Sequence, residues 1–231
     1  LRCDYFKGSG IGHLKRTSLL ASSLKNRGFN PILLIDEIPK KDIIFINVEV
    51  KKVSIDIFNE IEDADLMVEY ASIYNSNIVI GDSYRISNRW VDRIKKNGLN
   101  VVLIEDSKMN KGADLSINYT PINKLEDFSH DINQLRGPKF FLTDSKVFRK
   151  KDFIPKKIIA HAGGNGDYSK AKFIYSILAS ISDDKGIEVD WICPNLFSLN
   201  SLKNIIKLNK NDRILEWGND STSLWSKYQI V

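Results

Sequence analysis

The feature that most constrains this chain is a regular alternation of short apolar runs with amphipathic stretches. Apolar runs of strand length separated by segments of helical apolar spacing are the pattern of βα units laid on a largely parallel sheet. Strands are predicted at Leu1–Phe6, Ile32–Ile35, Ile43–Val48, Ile78–Ile80, Val101–Ile104 and Leu115–Ile117. Leu14–Arg27 and Ile86–Lys96 read as helices, and Ile86, Trp90 and Ile94 recur every fourth residue, so they share a face. Gly28 and Gly98 follow these helices, where a residue free to take positive φ ends a helix cheaply.

The rhythm breaks over Val147–Lys157, where Arg149, Lys150, Lys151, Pro155, Lys156 and Lys157 show little periodicity; this is the composition of a solvated linker. It then restarts. Lys157–Ala162 is a predicted strand, and Ala171, Ile174, Tyr175, Leu178 and Ile181 form a helical stripe. Ile187–Cys193 is the next strand, Leu199–Leu208 a helix and Arg213–Trp217 a strand. The expected fold is α/β, with two Rossmann-like domains facing a cleft: 1–148, carrying the first glycine-rich turn, and 149–231, expected to bind a nucleotide. A length of 231 residues suits that division. Tyr228–Val231 reads as the opening of a further buried strand, and residue 1 is Leu. The chain is therefore expected to be a piece of a longer polypeptide, with the second domain incomplete.

Composition removes several classes. Thirty-four basic residues against 29 acidic leave a net charge of +5, mild and scattered. That argues against a dedicated nucleic-acid binder, whose cations concentrate on one face, but would still draw in an anionic metabolite. No apolar run approaches the roughly 20 residues of a membrane span, and no secretory leader is recognisable. Cys3 and Cys193 are too few for a disulfide scaffold and too far apart for a metal knuckle. A reducing, cytoplasmic setting is the expectation. His13, His130 and His161 have no helical or turn ligand spacing, so neither a metal nor a cofactor is expected. Oligomeric state is not legible.

Two glycine-rich turns carry the chemistry. The first, Gly8-Ser9-Gly10-Ile11-Gly12-His13, joins the first strand to the first helix, where glycines let a ligand approach backbone amides at the positive helix end. Asp36, ending the second strand, would suit a dinucleotide's ribose, but His13 stands where that fingerprint needs its last glycine, and no Gly-Lys-Ser/Thr follows for a Walker loop. The helix dipole favours neutral imidazole at position 13, the form that takes a proton from water or a hydroxyl, and the flanking glycines should leave it accessible. The second turn, Ala162-Gly163-Gly164-Asn165-Gly166-Asp167, again lies between strand and helix. It suits either a diphosphate or plain tight packing. A phosphate-friendly turn in each half suits an enzyme of nucleotide sugars.

Asp82-Ser83-Tyr84 and Glu105-Asp106 follow predicted strands, at the carboxyl ends where open α/β sheets bind ligands; each is either a site element or a turn cap. Asp4 is placed to steady the first loop or to orient His13. His161 reads as a buried strand residue and His130 as solvated, while Trp217 and Trp225 read as core.

Taken together, these residues resemble the nucleotide-sugar hydrolases of pseudaminic-acid biosynthesis and their spore-coat polysaccharide relatives. Those families in turn resemble two-domain B-type (GT-B) glycosyltransferases, including the peptidoglycan lipid-intermediate enzyme. The likeness rests on Arg2-Cys3-Asp4, Gly10-Ile11-Gly12-His13-Leu14-Lys15-Arg16, Asp82-Ser83-Tyr84 with Trp90, Ile104-Glu105-Asp106, Ala113-Asp114 and Asn118. Further on it rests on Gly137–Leu142 with Phe148, resembling the strand that ends the first domain, and on Ala162-Gly163-Gly164 with Asp167. Asn165-Gly166 replaces the family's single Thr, and Tyr168 stands where a Pro is usual.

The resemblance implies hydrolysis of a UDP-linked 2,4-diacetamido-2,4,6-trideoxy-hexose at its anomeric carbon, releasing sugar and UDP without a metal. His13 would be the general base. Asp4, Gly10, Ile11, Gly12, Arg16, Asp82 and Tyr84 would lie on the substrate side, and Gly163, Gly164, Asn165 and Asp167 on the nucleotide diphosphate. The alternatives are a glycosyltransferase in which His13 deprotonates an acceptor hydroxyl, and a binding module without turnover.

Overall fold

The computed structural model describes residues 1–6, 9, 11–39, 48–53, 58–105, 112–119, 133–142, 157–160, 168–193, 199–204, 206, 208, 210 and 212–216. The chain divides into two compact units, Leu1–Thr143 and Asp144–Val231. The linker expected over Val147–Lys157 lies outside the described residues except for Lys157, which opens a strand.

The first unit carries seven described strands: β1 (Arg2–Cys3), β2 (Ile32–Ile35), β3 (Glu49–Lys52), β4 (Ile78–Asp82), β5 (Asn100–Ile104), β6 (Leu115–Asn118) and β7 (Gln134–Arg136). They form one sheet in the order β3-β2-β1-β4-β5-β6-β7, every neighbour parallel. Helix α1 (Gly12–Asn26) follows β1, α2 (Glu60–Ile73) follows β3 and α3 (Asn88–Lys95) follows β4. Leu14 of α1 packs with Cys3, Leu33 and Ile35 in one apolar cluster. Met67 and Ala71 of α2 pack with Ile86, Trp90 and Ile94 around Leu34, Val79, Val101 and Leu103 in another. Strand residues alternate in direction, so the two clusters lie on opposite faces of the sheet and the unit is doubly wound. The spacing-four face read from the sequence is buried throughout: Ile86, Trp90 and Ile94 are at most 3% exposed.

The helix ends follow from local chemistry. Asn59 caps α2 by accepting from the Ile61 and Glu62 amides, and Glu60, Glu62 and Asp63 place negative charge in its first turn. Ser87 caps α3 from the Arg89 amide. After α1 and α3 the chain turns through Gly28 and Gly98 at φ 88° and 77°, a conformation that suits glycine.

Three differences from the sequence reading stand out. The strand expected at Ile43–Val48 falls mostly outside the described residues, and the strand that pairs with β2 is Glu49–Lys52. As the outermost of the described strands, and partly exposed, β3 has no need of an apolar run. Helix α2 escaped prediction because its buried positions, Asp63, Ala64, Met67 and Ala71, hold one large apolar side chain, two alanines and an acid, a weak apolar stripe. Gly137–Leu142, expected as a strand by resemblance, instead contains a 3-10 turn at Pro138–Phe140 after Gly137 at φ 95°, with β7 just before it. Pro138 offers no amide to a ladder.

The second unit has a parallel sheet in the order β8 (Lys157–Ala160), β9 (Glu188–Cys193), β10 (Arg213–Glu216), with α4 (Tyr168–Lys185) and α5 (Leu199–Lys203). Its core gathers Ala160, Tyr175, Val189, Trp191, Leu202 and Ile206, with Tyr175 edge-on to Trp191 and its hydroxyl donating to the Ile192 carbonyl at 2.7 Å.

In the first unit a polar cluster ties the strand ends together. Arg2, 1% exposed, donates from Nε to Asp63 Oδ2 and from Nη2 to Asp36 Oδ1, both at 2.7 Å. Trp90 Nε1 takes the other Asp63 oxygen at 2.8 Å. Arg85 bridges Asp4 Oδ1 at 2.6 Å and Asp36 Oδ1 at 2.8 Å, its guanidinium lying over the Phe6 and Phe58 rings. The aspartate considered for a ribose is thus engaged within the protein.

Two predictions follow from this packing. A methyl group at Gly81 would sit 2.9 Å from Leu103 Cδ2, 3.0 Å from Ile86 Cδ1 and 3.2 Å from the Trp90 ring. Gly81→Ala should therefore destabilise the unit by about 1–3 kcal/mol in denaturant titration. Burial pushes the Asp36 carboxyl up, but the hydrogen bonds and charges of Arg2 and Arg85 outweigh it and hold its pKa below the ordinary 3.8. The stabilisation from Asp36 is then complete above 3.8 and lost as pH falls below that value through the lower folded-state pKa. Asp36→Asn should be less stable than wild type at neutral pH and lose stability less steeply in that acid range, as followed by circular dichroism.

Candidate functional site

In a parallel sheet the crevice for a ligand opens where neighbouring strands lead to helices on opposite faces. In the first unit that point lies between β1 and β4, with Cys3 paired to Asp82. β1 feeds α1, which begins at Gly12, and β4 ends on Asp82. His13 and Asp82 therefore arrive from the two sides of the crevice.

They meet there. His13 Nδ1 lies 2.7 Å from Asp82 Oδ1, and Asp82 is fully buried. The same oxygen accepts from Arg16 Nη2 at 2.5 Å, while Oδ2 accepts from Arg16 Nε at 2.6 Å and from the Thr17 hydroxyl at 2.8 Å. Four donors fill the carboxylate's acceptor sites. Burial works to raise the Asp82 pKa, but the hydrogen bonds from His13 and Arg16 and the Arg16 charge outweigh it and hold it below the ordinary range. For Arg16, burial opposes the charge, and the bonds to Asp82 more than compensate, so its pKa is raised.

This arrangement selects a tautomer. Asp82 is a carboxylate and can only accept, so a 2.7 Å contact requires the proton on His13 Nδ1. The 2.8 Å approach of Arg16 Nη2 to the same nitrogen is then the meeting of two donors at one shared oxygen. In a neutral imidazole so bound the lone pair falls on Nε2, the form a general base needs.

His13, Arg16 and Thr17 stand at i, i+3 and i+4, neighbours on one helix face, and that face turns toward Asp82. Only His13 and Arg16 were expected in the site; Thr17, fully buried, was missed although the helical spacing points to it.

Other expected residues are placed differently. Asp4, considered as the group that orients His13, is 2% exposed and held by Arg85, so Asp82 takes that role. Arg16, expected to face substrate, commits its Nε and Nη2 to Asp82 and its Nη1 to the Tyr119 hydroxyl at 2.5 Å. His13 is 4% exposed rather than laid open by its glycines: the Asp82 bond draws the ring inward and Tyr84, itself 66% exposed, packs edge-on at 4.6 Å. Glu105, at the end of β5, is buried.

Ile11 occupies the cap position of α1 and supplies no side-chain acceptor, and the first turn holds no acid. A Cβ on Gly12 would meet no atom of the described residues within 4 Å. Among the described residues no acidic side chain caps the amide end of α1, the kind of end that can take an anion. Gly8, Gly10, Asp106, His130, His161, Trp217, Trp225 and the second turn with Gly163, Gly164, Asn165 and Asp167 lie outside the described residues.

Among the described residues no group of three His, Cys, Asp or Glu could hold a metal ion, and no helix is long and apolar enough to cross a membrane. Burial and the Asp82 charge push the Cys3 thiol up to about 12, which removes it as a nucleophile.

No protein-family model and no curated protein matches this sequence. Solved structures do. MurG of Acinetobacter baumannii superposes with a TM-score of 0.60 at 11% identity, over 98% of this chain and 70% of that one. A glycosyltransferase from Rickettsia africae gives a TM-score of 0.61 at 15% identity, over 97% of this chain and 69% of that one. At these identities the likeness is one of fold: the chain has the parallel α/β, Rossmann-like architecture of the MurG-like GT-B proteins.

Proposed function

We propose that this chain acts on a nucleotide sugar at its anomeric carbon, as a hydrolase with His13 as general base and Asp82 as the carboxylate that orients it. The observation that carries the reading is the His13–Asp82 pair at the strand switch point, with Nδ1 bound to the carboxylate. The proposed substrate is a UDP-linked diacetamido-trideoxy-hexose, as the resemblance of the motifs suggests. We assign the diphosphate to the second glycine-rich turn, Gly163, Gly164, Asn165 and Asp167, in a domain given over to the nucleotide. Gly10, together with Ile11 and Gly12 at the start of α1 and Tyr84, is assigned to the substrate side, while Asp4 serves it through Arg85.

In the proposed step, His13 Nε2 takes a proton from water while the water oxygen bonds to the anomeric carbon. The bond from that carbon to the β-phosphate oxygen breaks, and UDP leaves with the electron pair. Attack opposite the leaving group inverts the anomeric configuration. Asp82 stabilises the imidazolium formed at His13, which then releases its proton to solvent. Backbone amides and helix ends take up the charge on the departing diphosphate.

A second reading, transfer to an acceptor hydroxyl in place of water, is favoured by the Rickettsia africae structure being described as a glycosyltransferase. Incubation with UDP-sugars, with and without a lipid-linked acceptor, separates the possibilities. Release of UDP without acceptor supports hydrolysis, release only with acceptor supports transfer, and binding without release supports a module without turnover. His13→Gln should lower turnover by about 10²–10⁴-fold with binding little changed; a near-normal rate removes His13 from the mechanism. Chelator should leave the rate intact.

Gly12 separates function from folding. Because no described atom lies near its missing Cβ, Gly12→Ala should leave thermal stability unchanged or slightly raised. The methyl group should nonetheless crowd a ligand at the α1 amides and raise KM for the UDP-sugar. An unchanged KM would place the anion elsewhere.

A further inference from the structure

Phe141 is 53% exposed, yet its ring is held in place. Gly137 donates its amide to the Asn118 carbonyl at 2.8 Å, and the Phe140 and Phe141 amides close the following turn onto Gly137 and Pro138, both at 3.0 Å. The Phe141 ring stands edge-on to Tyr119, with centroids 5.0 Å apart and planes at 72°. Tyr119 in turn accepts from Arg16 Nη1, whose other nitrogens grip Asp82. An ordered aromatic face is thereby linked, through one phenol and one guanidinium, to the carboxylate that holds His13. Tyr119 follows β6 and Phe141 follows the turn after β7, so both sit at the carboxyl end of the sheet, the end that carries His13 and Asp82.

A lone exposed phenylalanine is ordinary. One fixed beside a convergent polar cluster has the composition of a ligand site, in which aromatic walls give contact area and a few polar groups give orientation. Resting on the nucleotide-sugar reading above, we infer that Phe141, backed by Tyr119, is a specificity-determining wall against which the pyranose ring of the substrate stacks. A pyranose suits this place because it is two-sided: its C–H face packs on an aromatic ring while its hydroxyl rim meets polar groups. An acyl chain would need a continuous apolar surface, whereas the surface beside Phe141 carries the exposed Lys139, its ammonium over the Phe140 ring.

The test compares binding of UDP-N-acetylglucosamine, UDP and lipid vesicles to the full chain by calorimetry, for wild type, Phe141→Ala and Phe141→Trp. Wild type should bind the UDP-sugar more tightly than UDP. Phe141→Ala should remove about tenfold of that affinity, the scale of one lost aromatic packing contact, and leave UDP binding unchanged. Phe141→Trp should restore it. Unchanged thermal unfolding of Phe141→Ala would show that the fold is intact. The assignment is overturned if the UDP-sugar binds no better than UDP, if Phe141→Ala weakens both equally, or if vesicles bind in a Phe141-dependent way. UDP release measured on the same proteins keeps the two ideas apart. A His13-dependent rate with an unaltered KM in Phe141→Ala defeats the wall and spares the hydrolase reading. A Phe141-dependent sugar affinity without any turnover does the reverse.

Discussion

The carboxylate of Asp82 is the interaction on which the site depends. It is wholly buried, and an ionised acid in that position is tolerable only with its lone pairs occupied. Arg16, Thr17 and His13 occupy them, and all three come from the first two turns of α1. The need to satisfy one charge at the end of β4 therefore fixes the rotation of a helix that leaves β1, and with it the imidazole's tautomer. Local stability and chemical poise come from the same bonds.

Around this centre, ion pairs tie the strand ends to one another and to α2. Arg85 binds the residues that follow β1 and β2, and Arg2 joins β1 to α2 through Asp63. Pairs of this kind contribute little net energy against an apolar replacement, yet losing one partner strands the other. Their worth lies in geometry: three strand ends and the start of a helix are held in one arrangement, with Tyr84 carried next to Arg85 and against the imidazole.

Much of the frame was legible because it is local. β2 runs Ile32–Ile35 as read, the apolar spacing of Ile86, Trp90 and Ile94 is a buried face, and the βα rhythm is a doubly wound sheet with MurG-like neighbours. What escaped is either masked by composition or distant in the chain. Helix α2 buries Asp63, Ala64, Met67 and Ala71, of which only Met67 is large and apolar, so the stripe is weak. Asp82 lies 69 residues from His13, so sequence could nominate both and still name Asp4 as the partner, since Asp4 is nearer along the chain. Only the pairing of β1 with β4 brings the correct acid to hand, and only the claim of Arg85 on Asp4 takes the other one away.

The charged outer strand β3 has a consequence beyond its own stability. Among the described residues, its Glu49, Lys51 and Lys52 line one border of the sheet, where backbone left unpaired is a template for a second molecule. Charged side chains along an edge strand discourage such intermolecular growth. The order of strands that sets Asp82 beside β1 is thus guarded at its margin, and crowded solutions of this protein gain a built-in deterrent to ribbon-like stacking.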